Sequence, residues 1–155
     1  MMKIEKNYTT MEIIYSSPNN TVFRAINIEK NEPVMIKTLN NEFNDQTGIS
    51  KMKNEYELLK KLQGEYVVKV FDFLKFKNKV SIITEDFGAI PLSEYIKSND
   101  MEIRQLIDIA LKITKCIKYI HSNHVIHKGI NPSNIMYNPD KKVIKFYGFE
   151  GCIEI

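Results

Sequence analysis

The order of strand-like and helical segments is the feature that most constrains the fold of this chain. The strand-like segments before Gly88 are MEIIYSS, TVFRAINI, EPVMIKTL, YVVKVFDFLKF and KVSIITEDFG, with turns at SPNN, EKNE and KNK. Between the third and the fourth lies SKMKNEYELLKKL, which brings Met52, Tyr56, Leu59 and Leu62 onto one side of a helix. This order predicts five strands in an antiparallel sheet with one packed helix, which is an α+β fold.

After Gly88 the pattern becomes helical. Pro91 is placed to be the first helical residue of PLSEYIKS, and Asn99 and Glu102 have capping-box spacing ahead of a longer helix. That longer helix has a wide apolar stripe formed by Ile103, Leu106, Ile107, Ala110, Ile113, Ile117 and Ile120. Two short strands, NIMYN and KVIKFY, are predicted near the end. A stripe this wide needs another element to cover it.

Composition excludes several classes of protein. The 155 residues suffice for one domain or a piece of a larger one, and the net charge of +3 comes from Lys and Arg residues scattered along the chain. Nucleic-acid binding is therefore not indicated. Cys116 and Cys152 lack metal-site or disulfide spacing, which predicts two free thiols. No apolar run is long enough for a membrane span, so a cytoplasmic location is expected.

Motifs in both parts of the chain point to one family. The loop VIHKGINPSN has His127 and Asn134 at the spacing of H-R-D-L-x-x-x-N, with Gly129 at the position of the catalytic Asp. PVMIK places Lys37 where V-A-I-K is expected on a third strand, and Glu55 follows 18 residues later on the predicted helix. The chain thus resembles the first half of a protein kinase of the Ser/Thr lineage, from about Tyr8 to Gly151.

The resemblance implies a division and a set of roles. Residues 1–88 would form the N-lobe and hinge, and residues 89–155 a partial C-lobe. In style, IYSSPNNTVFRA and INPSN resemble the kinase-like N-terminal domains of large hybrid signalling proteins. The implied ATP-binding residues are Val22, Met35, Lys37, Thr84, Glu85, Phe87, Asn134 and Met136. Lys37 would hold phosphates and pair with Glu55, and Asn134 would either hold magnesium or cap its loop.

Other implied roles concern packing. His127 would pack beneath the Phe of the D-F-G element. Leu59, Val70, His127 and Phe149 match the four stacked residues that join the lobes of kinases. These positions are retained, so the resemblance predicts a kept fold.

The departures from the kinase pattern fall on the residues that do chemistry. Gly129 replaces the catalytic Asp, and Gly148, in GFE, replaces the metal-holding Asp of D-F-G. Asn131 stands where a catalytic-loop Lys is expected. A positioned general base typically contributes roughly 10² to 10⁴ in rate, and magnesium neutralises charge on the transferring phosphoryl group. Ordinary catalysis is therefore predicted to fail.

The predicted phosphate-covering loop has also changed. Tyr15, Ser17 and Asn20 align with its three glycine positions, and Met35 adds bulk where an Ala normally leaves room for adenine. Side chains at glycine positions restrict φ and keep the backbone away from phosphates. We expect weak, magnesium-independent ATP binding or none.

Three interpretations remain open. The first is a catalytically impaired kinase-like domain with a binding or regulatory role, whose partner is another protein or the rest of a longer signalling chain. The second is a divergent phosphotransferase that recruits Glu150 or Glu154 to hold metal. The third is a non-functional remnant. Because the sequence stops just after the D-F-G position, the helical stripe is expected to lack its usual cover.

Overall fold

The computed structural model describes residues 3–5, 7–76 and 79–155, in two compact units. Unit 1 contains the described residues up to 60 together with 69–87, and unit 2 contains 61–68 together with 88–155. The sequence division placed 61–68 in the first part. In the structure these residues group with unit 2 because Val67 forms a parallel bridge to Phe146 and the Tyr119 hydroxyl donates to the Gln63 carbonyl at 2.6 Å.

Unit 1 is built around one antiparallel sheet. Its strands are β1 (Lys3–Glu5), β2 (Tyr8–Ser16), β3 (Asn20–Asn27), β4 (Glu32–Leu39), β5 (Val70–Phe76) and β6 (Lys79–Glu85). Among the described residues the sheet has six strands in the order β1-β2-β3-β4-β6-β5. The five predicted strands are confirmed, and β1 extends the edge beyond them. Part of the predicted KNK turn, residues 77–78, lies outside the described residues.

One helix of unit 1 follows β4, as predicted. A short 3-10 helix (Asn41–Phe43) precedes α1, which spans Gln46–Lys61. Met52 of α1 packs with Leu39, Val80 and Ile82 on one face of the sheet. Tyr8, Ala25, Val34, Ile36 and Ile83 form a separate core on the opposite face. The alternation of side chains along β4 therefore places Lys37 on the face that α1 covers.

Unit 2 combines helices with short strands. After β7 (Ile90–Pro91) come α2 (Leu92–Ser98), α3 (Ile103–Ser122), β8 (Val125–Ile126), a 3-10 helix (Pro132–Asn134), β9 (Ile135–Asn138), β10 (Val143–Phe146) and β11 (Ile153–Glu154). The two strands predicted near the end correspond to β9 and β10, which pair with each other. β7 joins them on the other side of β9, and β11 pairs with β8. In the part of the chain that the structure describes, no helix has the length and apolar character needed to cross a membrane.

The predicted ends of α2 and α3 are wrong. Pro91 is the N-cap of α2 and not its first helical residue, because its ψ of 134° is extended. The capping box does not form: Glu102 itself is the N-cap of α3, without a side-chain cap bond. The side-chain amide of Asn99 instead donates to the Tyr95 carbonyl at 2.9 Å, and Asn99 is the C-cap of α2.

The buried side of α3 also differs from the predicted stripe. Ile109, Cys116 and Ile120 are its buried residues, and the first two lie outside the stripe. Ile103, Leu106 and Ile107 are 76%, 45% and 55% exposed. The stripe is therefore largely uncovered over the first half of the helix, as the sequence predicted. Apolar periodicity identified the helix, but it did not identify which apolar residues are covered.

Candidate functional site

One face of the unit 1 sheet brings together several of the predicted nucleotide-binding residues. Val22 pairs with Lys37 across β3 and β4, and Met35 pairs with Thr84 across β4 and β6. Directly opposed residues in antiparallel strands present their side chains on the same face. All four are at most 3% exposed. Within the described residues the Thr84 hydroxyl has no hydrogen-bond partner, which leaves a buried polar group on this face.

The predicted pair between the strand lysine and the helix glutamate is confirmed. Lys37 Nζ lies 2.7 Å from Glu55 Oε2, and the two side chains are 2% and 1% exposed. Glu55 reaches Lys37 because α1 packs its buried side, which also carries Met52 and Leu59, on the sheet. The pair is fully buried, so it is far more consequential for stability than a surface ion pair.

The turn between β2 and β3 is closed by its own hydrogen bonds. The Ser17 amide donates to the Asn20 carbonyl at 2.9 Å, and the Asn20 amide donates to Ser17 Oγ at 3.1 Å. Asn40 ties the turn down, since its side-chain amide donates to the carbonyls of Ser17 and Pro18 at 2.8 and 3.0 Å. The amides of Ser17 and Asn20, at two of the aligned glycine positions, therefore face inward and do not form a cradle for phosphate.

An arginine reaches across this part of the sheet to the last residues of unit 1. Arg24 Nε donates to Asp86 Oδ2 at 2.6 Å, and Arg24 Nη1 donates to Glu12 Oε1 at 2.5 Å. Burial acts to lower the pKa of the Arg24 guanidinium, but the two carboxylates outweigh it and the pKa is raised. Glu85 is also held, because its carboxylate accepts from the Lys69 amide at 2.7 Å.

Sequence reasoning missed Arg24, Asp86 and Asn40. The alternation along TVFRA places Arg24 on the same face as Val22, and that signal was available. The partners of Arg24 and Asn40 depend on strand register and loop path, which the sequence does not specify.

In unit 2, His127 is a core residue, as predicted. It is 2% exposed and packs edge-on against Phe149 and Phe146, at ring-centroid distances of 4.7 and 5.4 Å. Its Nδ1 accepts a hydrogen bond from the Gly129 amide at 3.2 Å. Cys152 Sγ donates to the His127 carbonyl at 3.2 Å. These contacts hold the loop remnant against the aromatic residues that follow β10.

Asn134 links the two positions where the aspartates are missing. Its side-chain amide donates to the Gly129 carbonyl at 2.7 Å. A Cβ added at Gly148 would lie 2.6 Å from Asn134 Oδ1, and one added at Gly129 would lie 3.3 Å from Asn134 Nδ2. Gly148 also has φ +75°, a conformation that L side chains rarely adopt. The Asn134 amide therefore occupies the space of a side chain at position 148, and it makes a tight contact with one at position 129.

Asn131 caps the 3-10 helix of this loop. Its carboxamide oxygen accepts from the amides of Ser133 and Asn134 at 2.8 and 3.2 Å, and its Nδ2 donates to the Gly129 carbonyl at 3.0 Å. The residue found in place of the expected lysine thus stabilises the loop conformation. For Asn134, the side-chain bond to the Gly129 carbonyl agrees with the alternative in which this residue caps its loop.

The alternative metal carboxylates have other surroundings. Glu154 on β11 forms an ion pair with Lys61 at 2.7 Å, and Glu150 is partly exposed after the Gly148 position. Among residues 3–5, 7–76 and 79–155, no group of three or more His, Cys, Asp and Glu side chains is arranged to hold a metal ion. Met136 is buried on β9 in unit 2, and its pairing with Val22 around a base stays a prediction.

The Lys37–Glu55 pair, the loop that begins with a buried histidine and the order of the strands all correspond to one family. The family described as "Protein kinase domain" matches residues 8–154. The chain belongs to this family. The match covers nearly all of unit 1 and unit 2, so the protein kinase fold inferred from the motifs is confirmed.

Individual protein kinases resemble the chain at moderate identity. A "Probable serine/threonine-protein kinase" of Clostridium acetobutylicum is 28% identical over 148 residues, covering 94% of this chain and 22% of that protein. "Mitogen-activated protein kinase 2" of Arabidopsis thaliana is 26% identical over 157 residues, covering 94% and 41%. A "Probable serine/threonine-protein kinase" of Dictyostelium discoideum is 30% identical over 143 residues, covering 92% and 29%. The chain thus spans less than half the length of each of these relatives.

Proposed function

We propose that this protein kinase domain does not transfer phosphate and acts as a binding or regulatory module. The observation that carries the proposal is the Asn134 amide, which is bonded to the Gly129 carbonyl and fills the space beside Gly148. A general base at position 129 and a metal carboxylate at position 148 are both absent. A loop without these groups lacks the proton acceptor and the metal-held charge that normally contribute to phosphoryl transfer.

We propose that contacts to the phosphates of a nucleotide are weakened as well. In the turn between β2 and β3 the amides of Ser17 and Asn20 are bonded within the turn, so these two are not donors for a triphosphate. Gly148 brings no carboxylate and Asn134 is engaged with Gly129, so these residues do not fit a magnesium ion. The unit 1 face with Lys37, Thr84 and Met35 is retained. The ligand is therefore an adenine nucleotide bound weakly and without magnesium, or none.

The transfer reaction is tested with radiolabelled ATP and magnesium. We expect no labelling of generic protein substrates or of the protein itself above the level of a Lys37→Ala variant whose folding has been checked by circular dichroism. Labelling that depends on both Lys37 and magnesium would overturn the proposal and favour a divergent phosphotransferase. Aspartates placed together at positions 129 and 148 are expected to restore little activity.

Nucleotide binding is tested separately by calorimetric titration with ATP, with and without magnesium. Loss of a charge-assisted contact typically costs about 1.5 to 3 kcal/mol, and two such losses take a micromolar ligand to the millimolar range. We expect dissociation constants of about millimolar or weaker, unchanged by magnesium. A tight complex that requires magnesium would show that another residue has replaced the missing carboxylate.

The proposed biological setting is regulatory. We propose a protein partner, or further parts of a longer signalling chain, in the cytoplasm. The length comparison bears on the longer chain alone, because the kinase relatives extend well beyond the region they share with this chain. Pull-down of the protein with a partner from cells, lost on mutation of exposed residues, would test it.

A further inference from the structure

Arg24 connects three separate parts of unit 1. Its guanidinium bonds Glu12 on β2 and Asp86, the residue that follows β6, while Arg24 itself lies on β3. Because Arg24 pairs with Met35 across β3 and β4, its side chain lies on the same sheet face as Met35 and Thr84. The guanidinium therefore joins the candidate nucleotide face to residues 85–87.

The two ion pairs of Arg24 differ in burial. The Asp86 side chain is 3% exposed, whereas that of Glu12 is 59% exposed. A buried carboxylate that loses its counter-charge is strongly destabilised, but an exposed ion pair contributes little. The bond to Asp86 is thus the consequential one, and Glu12 offers a matched control on the same guanidinium.

The position of Asp86 gives this pair a consequence for ligand recognition. Residues 85–87 are the ones whose backbone groups are predicted to meet the edge of an adenine base. Backbone donors and acceptors discriminate between bases only when their directions are fixed, and a segment ordered in advance loses less entropy on binding. Adenine and guanine present opposite hydrogen-bonding groups at the 6-position, so a fixed segment distinguishes them.

We propose that Arg24 and Asp86 form a positioning pair that fixes residues 85–87 and makes this segment select adenine over guanine. The inference rests on the proposed nucleotide site, but the fixing of the segment can be measured without any ligand. The inference concerns recognition of the base, and it does not depend on the lost contacts to phosphate and metal.

The first experiment is amide hydrogen exchange, followed by mass spectrometry, on the whole chain. In Arg24→Met, exchange of the amides of residues 85–87 is expected to rise about tenfold, which corresponds to one charge-assisted bond. Asp86→Asn is expected to raise the exchange rate of the same amides, and Glu12→Gln is expected to leave that rate unchanged. In the double variant Arg24→Met with Asp86→Asn, the increase should be smaller than the sum of the two single increases, since no buried charge is left without its counter-charge. Glu12 also loses its ion pair in this variant, but its side chain is 59% exposed.

Two outcomes of this experiment would overturn the inference. Exchange at residues 85–87 could stay the same in Arg24→Met, or it could rise equally over all of unit 1. The second result would make Arg24 a contributor to general stability only. Arg24→Lys retains one cationic donor and is expected to recover part of the protection, which a purely steric role would not produce.

The second experiment compares ATP and GTP by NMR titration in the absence of magnesium. The wild-type protein is expected to prefer ATP, and Arg24→Met to lose that preference while its affinity for GTP changes little. An equal loss for both nucleotides would contradict base selection. If the wild-type protein binds neither nucleotide, base selection is overturned, whereas the proposed non-catalytic function, which allows for no nucleotide, stands. The exchange experiment then decides whether Arg24 positions the segment.

Discussion

Gly148 has a backbone conformation and surroundings that only glycine satisfies. Its φ is +75°, and a Cβ would lie 2.6 Å from Asn134 Oδ1. A left-handed conformation costs a side-chain-bearing residue roughly 1 to 2 kcal/mol, and displacing the Asn134 amide adds the loss of its bond to Gly129. Gly148→Ala is expected to lower the free energy of unfolding by more than about 2 kcal/mol, measured by urea denaturation.

Gly151 serves as the control for this substitution. No atom lies within 4 Å of a Cβ added there, and its φ is not in the left-handed range. Gly151→Ala is therefore expected to be neutral or slightly stabilising, by up to about 1 kcal/mol. Equal effects of the two substitutions would refute the argument about the space beside Asn134.

The buried pair of Lys37 and Glu55 is expected to show strong coupling. Removing one partner leaves an uncompensated buried charge, which costs about 3 to 5 kcal/mol, whereas replacing both by apolar residues costs much less. Urea denaturation of Lys37→Met, Glu55→Leu and the double variant measures this. Additive single effects would mean that the two charges are independently solvated, contrary to the 2.7 Å contact.

At the scale of elements, α3 is anchored by a thiol with a shifted pKa. Burial raises the pKa of Cys116 to about 11 from an ordinary value of 9.0. Above pH 9 the thiol ionises in the unfolded chain but stays neutral in the folded protein, which favours the unfolded state. The stability contributed by the buried thiol is therefore complete below pH 9 and is lost as the pH rises towards 11. The expected loss is on the order of 2 kcal/mol.

This pH dependence is isolated by a difference measurement. Urea denaturation of the wild-type protein and of Cys116→Ala across this pH range removes the contribution of tyrosines and lysines common to both. The difference in unfolding free energy should shrink as the pH rises. A constant difference for Cys116→Ala would contradict the prediction.

The sequence predicted the strands of unit 1 and α1 better than the ends and the buried side of the later helices. Alternation and helical spacing identified the five predicted strands of unit 1 and α1, because burial of one face imposes those periods. The ends of α2 and α3 were mispredicted, since Asn99 had two compatible roles and the local sequence does not choose between them. The buried side of α3 was also missed: the Cys116 thiol donates to the Ile144 carbonyl of β10, an element distant in the sequence.

The whole molecule carries an apolar surface on α3. Ile103 and Ile107 are 76% and 55% exposed, and neighbouring apolar residues are exposed as well. Exposed apolar patches promote association. Ile103→Lys with Ile107→Lys is expected to reduce concentration-dependent light scattering and to change the free energy of unfolding by less than about 1 kcal/mol.

Ile109 provides the contrast on the same helix. It is 5% exposed, so Ile109→Lys buries an unpaired charge and is expected to unfold the protein or nearly so. Similar behaviour of the exposed and the buried variants in thermal denaturation would show that the exposed stripe is covered in solution.

The candidate site was partly predictable at the scale of the molecule. Motif spacing located Lys37, Glu55, Gly129, Asn134 and Gly148 in the sequence, and the structure confirms the Lys37–Glu55 contact. The role of Arg24, the closed turn at Ser17 and the placement of the Asn134 amide were not predictable. Each depends on hydrogen bonds between residues whose proximity is set by register and loop path.

The Asn134 amide also limits the mutational routes open to this protein. A side chain at position 148 meets that amide, so a lone change to aspartate there carries a stability penalty before it can offer any catalytic benefit. Asn134 would first have to leave the Gly129 carbonyl, and that step alone gives no benefit either. Selection acting on one substitution at a time therefore meets a barrier, and a library aimed at regaining phosphoryl transfer should vary positions 129, 134 and 148 together.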